Sequence, residues 1–167
     1  MLSRRSVVAV AAATAMFAAS GAAAQPKSMT LGTASLGGTY FIYGGVLAKL
    51  LTDKLGINVS TQQTQGPNQN ILLVDDKKVE LGMTTMGVAL QAWTGKGDWT
   101  KGKKYENIRA LFPMYDTPFQ CVALKKSGHT SFKQLDGKTV GVGPRAGTPG
   151  TYMPLIFQAL GMKATIR

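Results

Sequence analysis

Three turns in this chain combine glycine with hydroxyl side chains: Ser35-Leu36-Gly37-Gly38-Thr39-Tyr40, Thr84-Thr85, and Gly143-Pro144-Arg145-Ala146-Gly147-Thr148. Each falls where a strand-like run gives way to a helix-like one. Glycine lets the backbone approach a bound molecule closely. The first N–H groups of a helix have no acceptor of their own, and with the helix dipole they attract a carboxylate or phosphate. The hydroxyls of Ser35, Thr39, Thr84, Thr85 and Thr148 add neutral donors. Any one such turn reads as an ordinary cap. Three in one chain point to non-covalent capture of an anionic small molecule.

Other chemistry finds little support. One Cys and one His in 167 residues exclude a disulfide framework, a CxxC site and a histidine metal cluster. Cys121 sits inside an apolar run, where a buried small hydrophobe is expected, and His129 lies in a turn. There is no GxSxG elbow, and the neighbours Asp75 and Asp76 cannot both face one site on a helix. Gly32 to Thr39 has the glycine spacing of a nucleotide-hydrolase loop, but Gly38 stands where a lysine is needed. Gly141 to Gly147 resembles a dinucleotide fingerprint with one residue too many. No acidic residue follows Asp136, although Arg145 would suit a 2′-phosphate, so a dinucleotide-binding enzyme fragment stays as an alternative.

The elements that must position these turns alternate in type. Strands are expected over residues 28–35, 58–64, 79–84, 108–115, 119–125 and 139–143. A helix capped by Thr39 and stopped by Gly56 carries Tyr43, Val46, Leu47, Leu50, Leu51 and Leu55 at helical spacing. Asn68 caps a second helix over 69–77, Thr85 caps a third through Trp93, and a fourth runs from Gly147 to Leu160 with Leu155, Ile156, Ala159 and Leu160 apolar. Ser131 to Gln134 is a capping-box pattern. The alternation predicts an α/β fold with a parallel-rich sheet flanked by helices. In such sheets ligands bind outside the carboxyl ends of the strands, where the three turns lie.

Residues 1–24 read as an export signal: Arg4 and Arg5, an apolar run from Val7 to Ala19, then Ala22-Ala23-Ala24. The run is shorter than the roughly 20 residues a spanning helix needs. No later segment is long and apolar enough to cross a bilayer, so the mature chain is expected in the periplasm without stable membrane insertion. The net charge is +11, and removing Arg4 and Arg5 takes the 19 basic residues to 17 against 8 acidic. These charges are scattered rather than interleaved with aromatics on one face, which argues against nucleic acid. Lys96, Lys101, Lys103 and Lys104 are expected to be solvated in a glycine-rich loop.

Three stretches, LGTASLGGTYFIYGGVLAKLL, ILLVDDKKVELGMTTMGVA and FKQLDGKTVGVGPRAGTPG, resemble the TAXI-type solute-binding proteins of TRAP transporters. The resemblance runs in order along the whole chain after residue 24. It implies a two-lobed type II periplasmic-binding fold that hands a small anionic solute, such as a dicarboxylate or a glutamate-like amino acid, to a TRAP membrane permease, with no catalysis. It implies a first lobe over 25–117, and a crossover with an incomplete second lobe over 118–167, since relatives are considerably longer. It assigns ligand contacts to Gly38, Thr39, Tyr40, Thr84, Thr85 and Met86 from the first lobe, and to Arg145, Ala146, Gly147 and Thr148 from the second; the turn chemistry adds Ser35 and Gly37 as candidates. The chain departs from the usual pattern at Met86-Gly87, where relatives carry Ser-Asp, at Arg145-Ala146, where they carry Gly-Ser, and at Gly66-Pro67-Asn68. A receptor for an ABC importer is the alternative within the binding class.

Overall fold

The computed structural model describes residues 26–167, so the export signal read over residues 1–24 lies outside the described residues. Its elements are β1 (Ser28–Gly32), α1 (Thr39–Leu55), β2 (Asn58–Gln62), α2 (Pro67–Asp75), β3 (Leu81–Gly82), α3 (Met86–Thr94), β4 (Thr139–Val140), α4 (Thr148–Ala159) and β5 (Thr165–Ile166). A parallel sheet in the order β2-β1-β3 is flanked by helices, and β4 and β5 form a second parallel pair. This is the expected α/β architecture. No helix among the described residues is long and apolar enough to cross a membrane.

The period-2 alternation of β1 separates the two faces of the sheet. Leu31 points to α1, where Tyr40, Ala48, Ile57, Val59 and Met83 close a core with it. Gly32 points the other way, to α2, and its register partner on β3 is Gly82. Beyond α2, Ile71 packs with Val88, Ala92 and Tyr105. From β1 the chain turns to one side through α1, and from β3 it leaves by α3. The gap between the ends of β1 and β3 is therefore the crevice such sheets use for ligands.

Helix boundaries follow local chemistry. Gly56 ends α1 in the left-handed conformation (φ 66°), donating its N–H to Thr52 O, as expected. The capping box at Ser131 and Gln134 forms. Thr39 is the first residue of α1, with Gly38 in the cap position instead. Gly66 rather than Asn68 precedes α2, because Pro67 suits the first helical position, where no N–H is needed.

Several expectations are corrected. Residues 108–124 form no strand. Pro113 and Pro118 remove donors, and among the described residues no strand pairs with the run. Leu111, Val122 and Leu124 are consequently exposed, and so is Cys121. On α1 the buried face is Tyr40, Gly44 and Ala48, flanked by Tyr43, Leu47 and Leu51; Val46, Leu50 and Leu55 are exposed. On α4 it is Phe157 that is buried, stacked on Phe132 at 5.5 Å, while Leu155 and Leu160 are exposed. Lys103 is not merely solvated: its Nζ reaches Asp75 at 2.8 Å and lies over the Tyr105 ring.

Candidate functional site

The first turn is built as a tight reversal. Gly38 donates its N–H to Ser35 O at 3.0 Å, and Gly37 takes φ 81°, the left-handed value a type II turn demands at its third residue. A side chain on Gly38 would come within 3.1 Å of Ser35 O. No side chain caps α1, so the N–H groups of Thr39 and Tyr40 face outward without an intrahelical acceptor. Thr39 is exposed and Ser35 half-buried.

Across the crevice, Thr84 and Thr85 leave β3 and lead into α3. Thr85 holds the cap position, as expected, yet its hydroxyl makes no capping bond. The hydroxyls of both Thr84 and Thr85 are buried and unpartnered. So is the hydroxyl of Tyr115, which stands edge-on to Tyr40 with ring centroids 6.1 Å apart and packs on Tyr43 at 5.0 Å. Tyr40 Oη donates to Thr84 O at 3.3 Å and so joins the two turns. Leaving such groups without a bond costs stability, and three of them together mark a place built for something other than the fold.

Tyr40 is 8% exposed. Burial, aided by the neighbouring Tyr115 and eased by Thr117, pushes its phenol from 10.0 up to about 12. Burial also raises Tyr115, with Tyr43 adding to the effect. Because the folded value of Tyr40 is the higher one, its contribution to stability is complete below pH 10.0 and is lost as pH rises through about 12. Tyr40→Phe should therefore flatten part of the alkaline fall in stability between those values, measured as denaturation midpoints of the two chains at matched pH.

The third turn lies against the start of α2. Ala146 O accepts the Asn68 N–H at 3.3 Å, Thr151 Oγ1 donates to Asn68 Oδ1 at 3.2 Å, and Gly147 sits on Gly66. Tyr152 fills the space beside Gly87. The N-termini of α2, α3 and α4 thus gather at one end of the molecule. Gly147 is buried and precedes α4 uncapped, and Thr148 is half-buried. Arg145 and Ala146 line a cavity of about 350 Å³ with Gln65, Asn68, Gln69, Leu72 and Trp99. None of Ser35 to Tyr40 or Thr84 to Met86 lines that cavity. Met86 is 87% exposed.

The expected site residues therefore divide. Ser35, Gly37, Gly38, Thr39, Tyr40, Thr84 and Thr85 surround one crevice, whereas Arg145 and Ala146 face another hollow. Tyr115 was not among the expected residues; its place in a run read as a strand hid it. Among the described residues no group of three or more His, Cys, Asp or Glu side chains stands where it could hold a metal ion. What the crevice offers is backbone N–H groups, neutral hydroxyls and aromatic rings, a donor set suited to a small polar molecule bearing a carboxylate. Comparison with known protein families matches residues 31–166 to the NMT1-like family. The chain belongs to that family, which is of the periplasmic solute-binding type.

Proposed function

We propose that this member of the NMT1-like family is the extracytoplasmic solute receptor of a TRAP transporter of the TAXI type. It takes a small anionic solute, a dicarboxylate or a glutamate-like amino acid, and delivers it to a membrane permease. The observation that carries this reading is the trio of buried, unpartnered hydroxyls on Thr84, Thr85 and Tyr115 beside the uncapped start of α1. A carboxylate entering there would accept from the N–H groups of Thr39 and Tyr40 and from the threonine hydroxyls. Charge-assisted bonds of this kind are roughly twice as strong as neutral ones.

The lobes follow the same reading. Residues 25–117 serve as one jaw and residues 118–167 bring in part of the other, with Arg145 to Thr148 on it. Ligand touching both jaws favours the closed arrangement, because only differential contact shifts a conformational equilibrium. Export through residues 1–24 places the receptor in the periplasm, beside its permease. No bond is made or broken in the solute.

Calorimetry with succinate, L-glutamate, their amides and neutral amino acids tests the reading. Heat of binding is expected for the carboxylates, and its loss is expected when the carboxylate is amidated. Equal binding of the amides, or none by any acid, overturns it.

A further inference from the structure

Asn70, on α2, is 1% exposed, and its side chain lies against Gly32 and Gly82 of the sheet. Its Nδ2 group donates two short bonds, to Thr33 O at 2.7 Å and to Met83 O at 2.7 Å. These carbonyls belong to the residues that directly follow β1 and β3. The ladder between the two strands pairs Leu31 with Leu81 and Gly32 with Gly82, and Met83 N–H still reaches Gly32 O at 3.0 Å. Past that point the strands part, and the Asn70 amide alone spans the carbonyls.

The sheet makes room for it. A Cβ on Gly32 would lie 2.7 Å from Asn70 Oδ1, and one on Gly82 would lie 3.1 Å from Asn70 Cβ. The register-paired glycines form a slot through which α2 brings the amide between the strands. Asn70 Oδ1 has no conventional donor. In place of a Cβ, Gly32 turns an α-hydrogen toward it, a weak contact that leaves the acceptor under-satisfied.

We infer that Asn70 is a positioning residue: by holding Thr33 O and Met83 O at a fixed separation, it sets the width of the crevice between the Ser35–Gly38 turn and Thr84–Thr85. Its effect on solute capture rests on the receptor reading; its effect on the crevice does not. Neither Asn70→Leu nor Asn70→Asp can donate to the two carbonyls, and the second adds a charge facing them.

The test places spin labels at Leu36→Cys and Met86→Cys, two exposed positions flanking the crevice, with exposed Cys121 replaced by Ser. The chain with Asn70 should give one narrow distance distribution, and Asn70→Leu and Asn70→Asp a longer and broader one. Binding of succinate or L-glutamate should weaken about tenfold or more, as loss of aligned donors predicts. On the unaltered chain, the Asn70 Nδ2 hydrogens should exchange slowly and show scalar coupling across the hydrogen bonds to the Thr33 and Met83 carbonyls. Rapid exchange without coupling overturns the inference even if neither variant folds. An unchanged distance distribution in a folded Asn70→Leu chain overturns it too. Failure of every acid to bind leaves these readouts intact and removes only the receptor reading.

Discussion

Thr84→Val and Thr85→Val chains are expected to melt higher than the parent and to bind the solute more weakly. The two signs come from one observation: each hydroxyl is buried with no hydrogen-bond partner. Valine has nearly the same shape and no polar group to strand, so each replacement removes an unsatisfied burial cost, here about 1 kcal/mol. That corresponds to a rise in Tm of roughly 4 °C for a chain of this size. Thr85 loses no cap by the change, because its side chain makes no capping bond. A hydroxyl that bonds a carboxylate contributes about 1.5–3 kcal/mol to the complex, so affinity should fall roughly 10- to 100-fold. The two residues are neighbours, so the double variant need not equal the sum of the singles. Thermal melts and calorimetry on the same preparations check both signs. Lower Tm with unchanged affinity would mean that the hydroxyls serve the fold. Tyr115→Phe obeys the same logic from the opposite wall of the crevice.

Much of this site could be read from residue types because its parts are local. Gly37 must sit where φ is positive, Thr85 must precede a helix, and both facts are carried by a few adjacent residues. The order of strands and helices was legible for the same reason, since periodicity and stop signals such as Gly56 act over one or two turns. What failed was long-range. The run 108–124 has strand-like composition, but strand formation depends on a neighbour to bond with, and composition does not say whether one is at hand. Likewise the apolar residues of α1 cover more of its circumference than the sheet does. Only the contacts with Leu31 and Met83 choose Tyr40, Gly44 and Ala48 over Val46 and Leu50. Asn70 was invisible for a third reason: its meaning lies in Gly32 and Gly82, residues far from it in sequence that become its slot only when β1 and β3 pair.

The adjacent glycines of α1 should respond to the same substitution in opposite directions. Gly44 lies on the buried face, where an added Cβ would collide with Thr33 Cγ2 and stand 3.2 Å from Met83 Sδ. Thr33 cannot easily yield: it is fully buried, and its hydroxyl is bonded to Gln62 O at 3.0 Å. Gly45 has open space around its Cβ position. In a helix interior, alanine is favoured over glycine by about 1 kcal/mol, so Gly45→Ala should stabilise the chain by that amount. Gly44→Ala gains the same propensity but forces α1 off the sheet. Overpacking typically costs about 1–3 kcal/mol, and with contacts this tight its upper part applies, so a net loss of up to roughly 2 kcal/mol is expected after the propensity gain. The two chains should differ in Tm by on the order of 10 °C, read from thermal melts at equal concentration. Gly44 is one turn from Tyr40 on the same helix face, so displacing the helix there also lifts Tyr40 Oη from Thr84 O and turns the first N–H groups of α1 away from the crevice. Gly44→Ala should therefore weaken solute binding even at temperatures where the chain is fully folded, while Gly45→Ala leaves it unchanged. If both substitutions stabilise the chain, α1 does not approach β1 as closely as Thr33 and Met83 require, and the crevice geometry that follows from that approach falls with it.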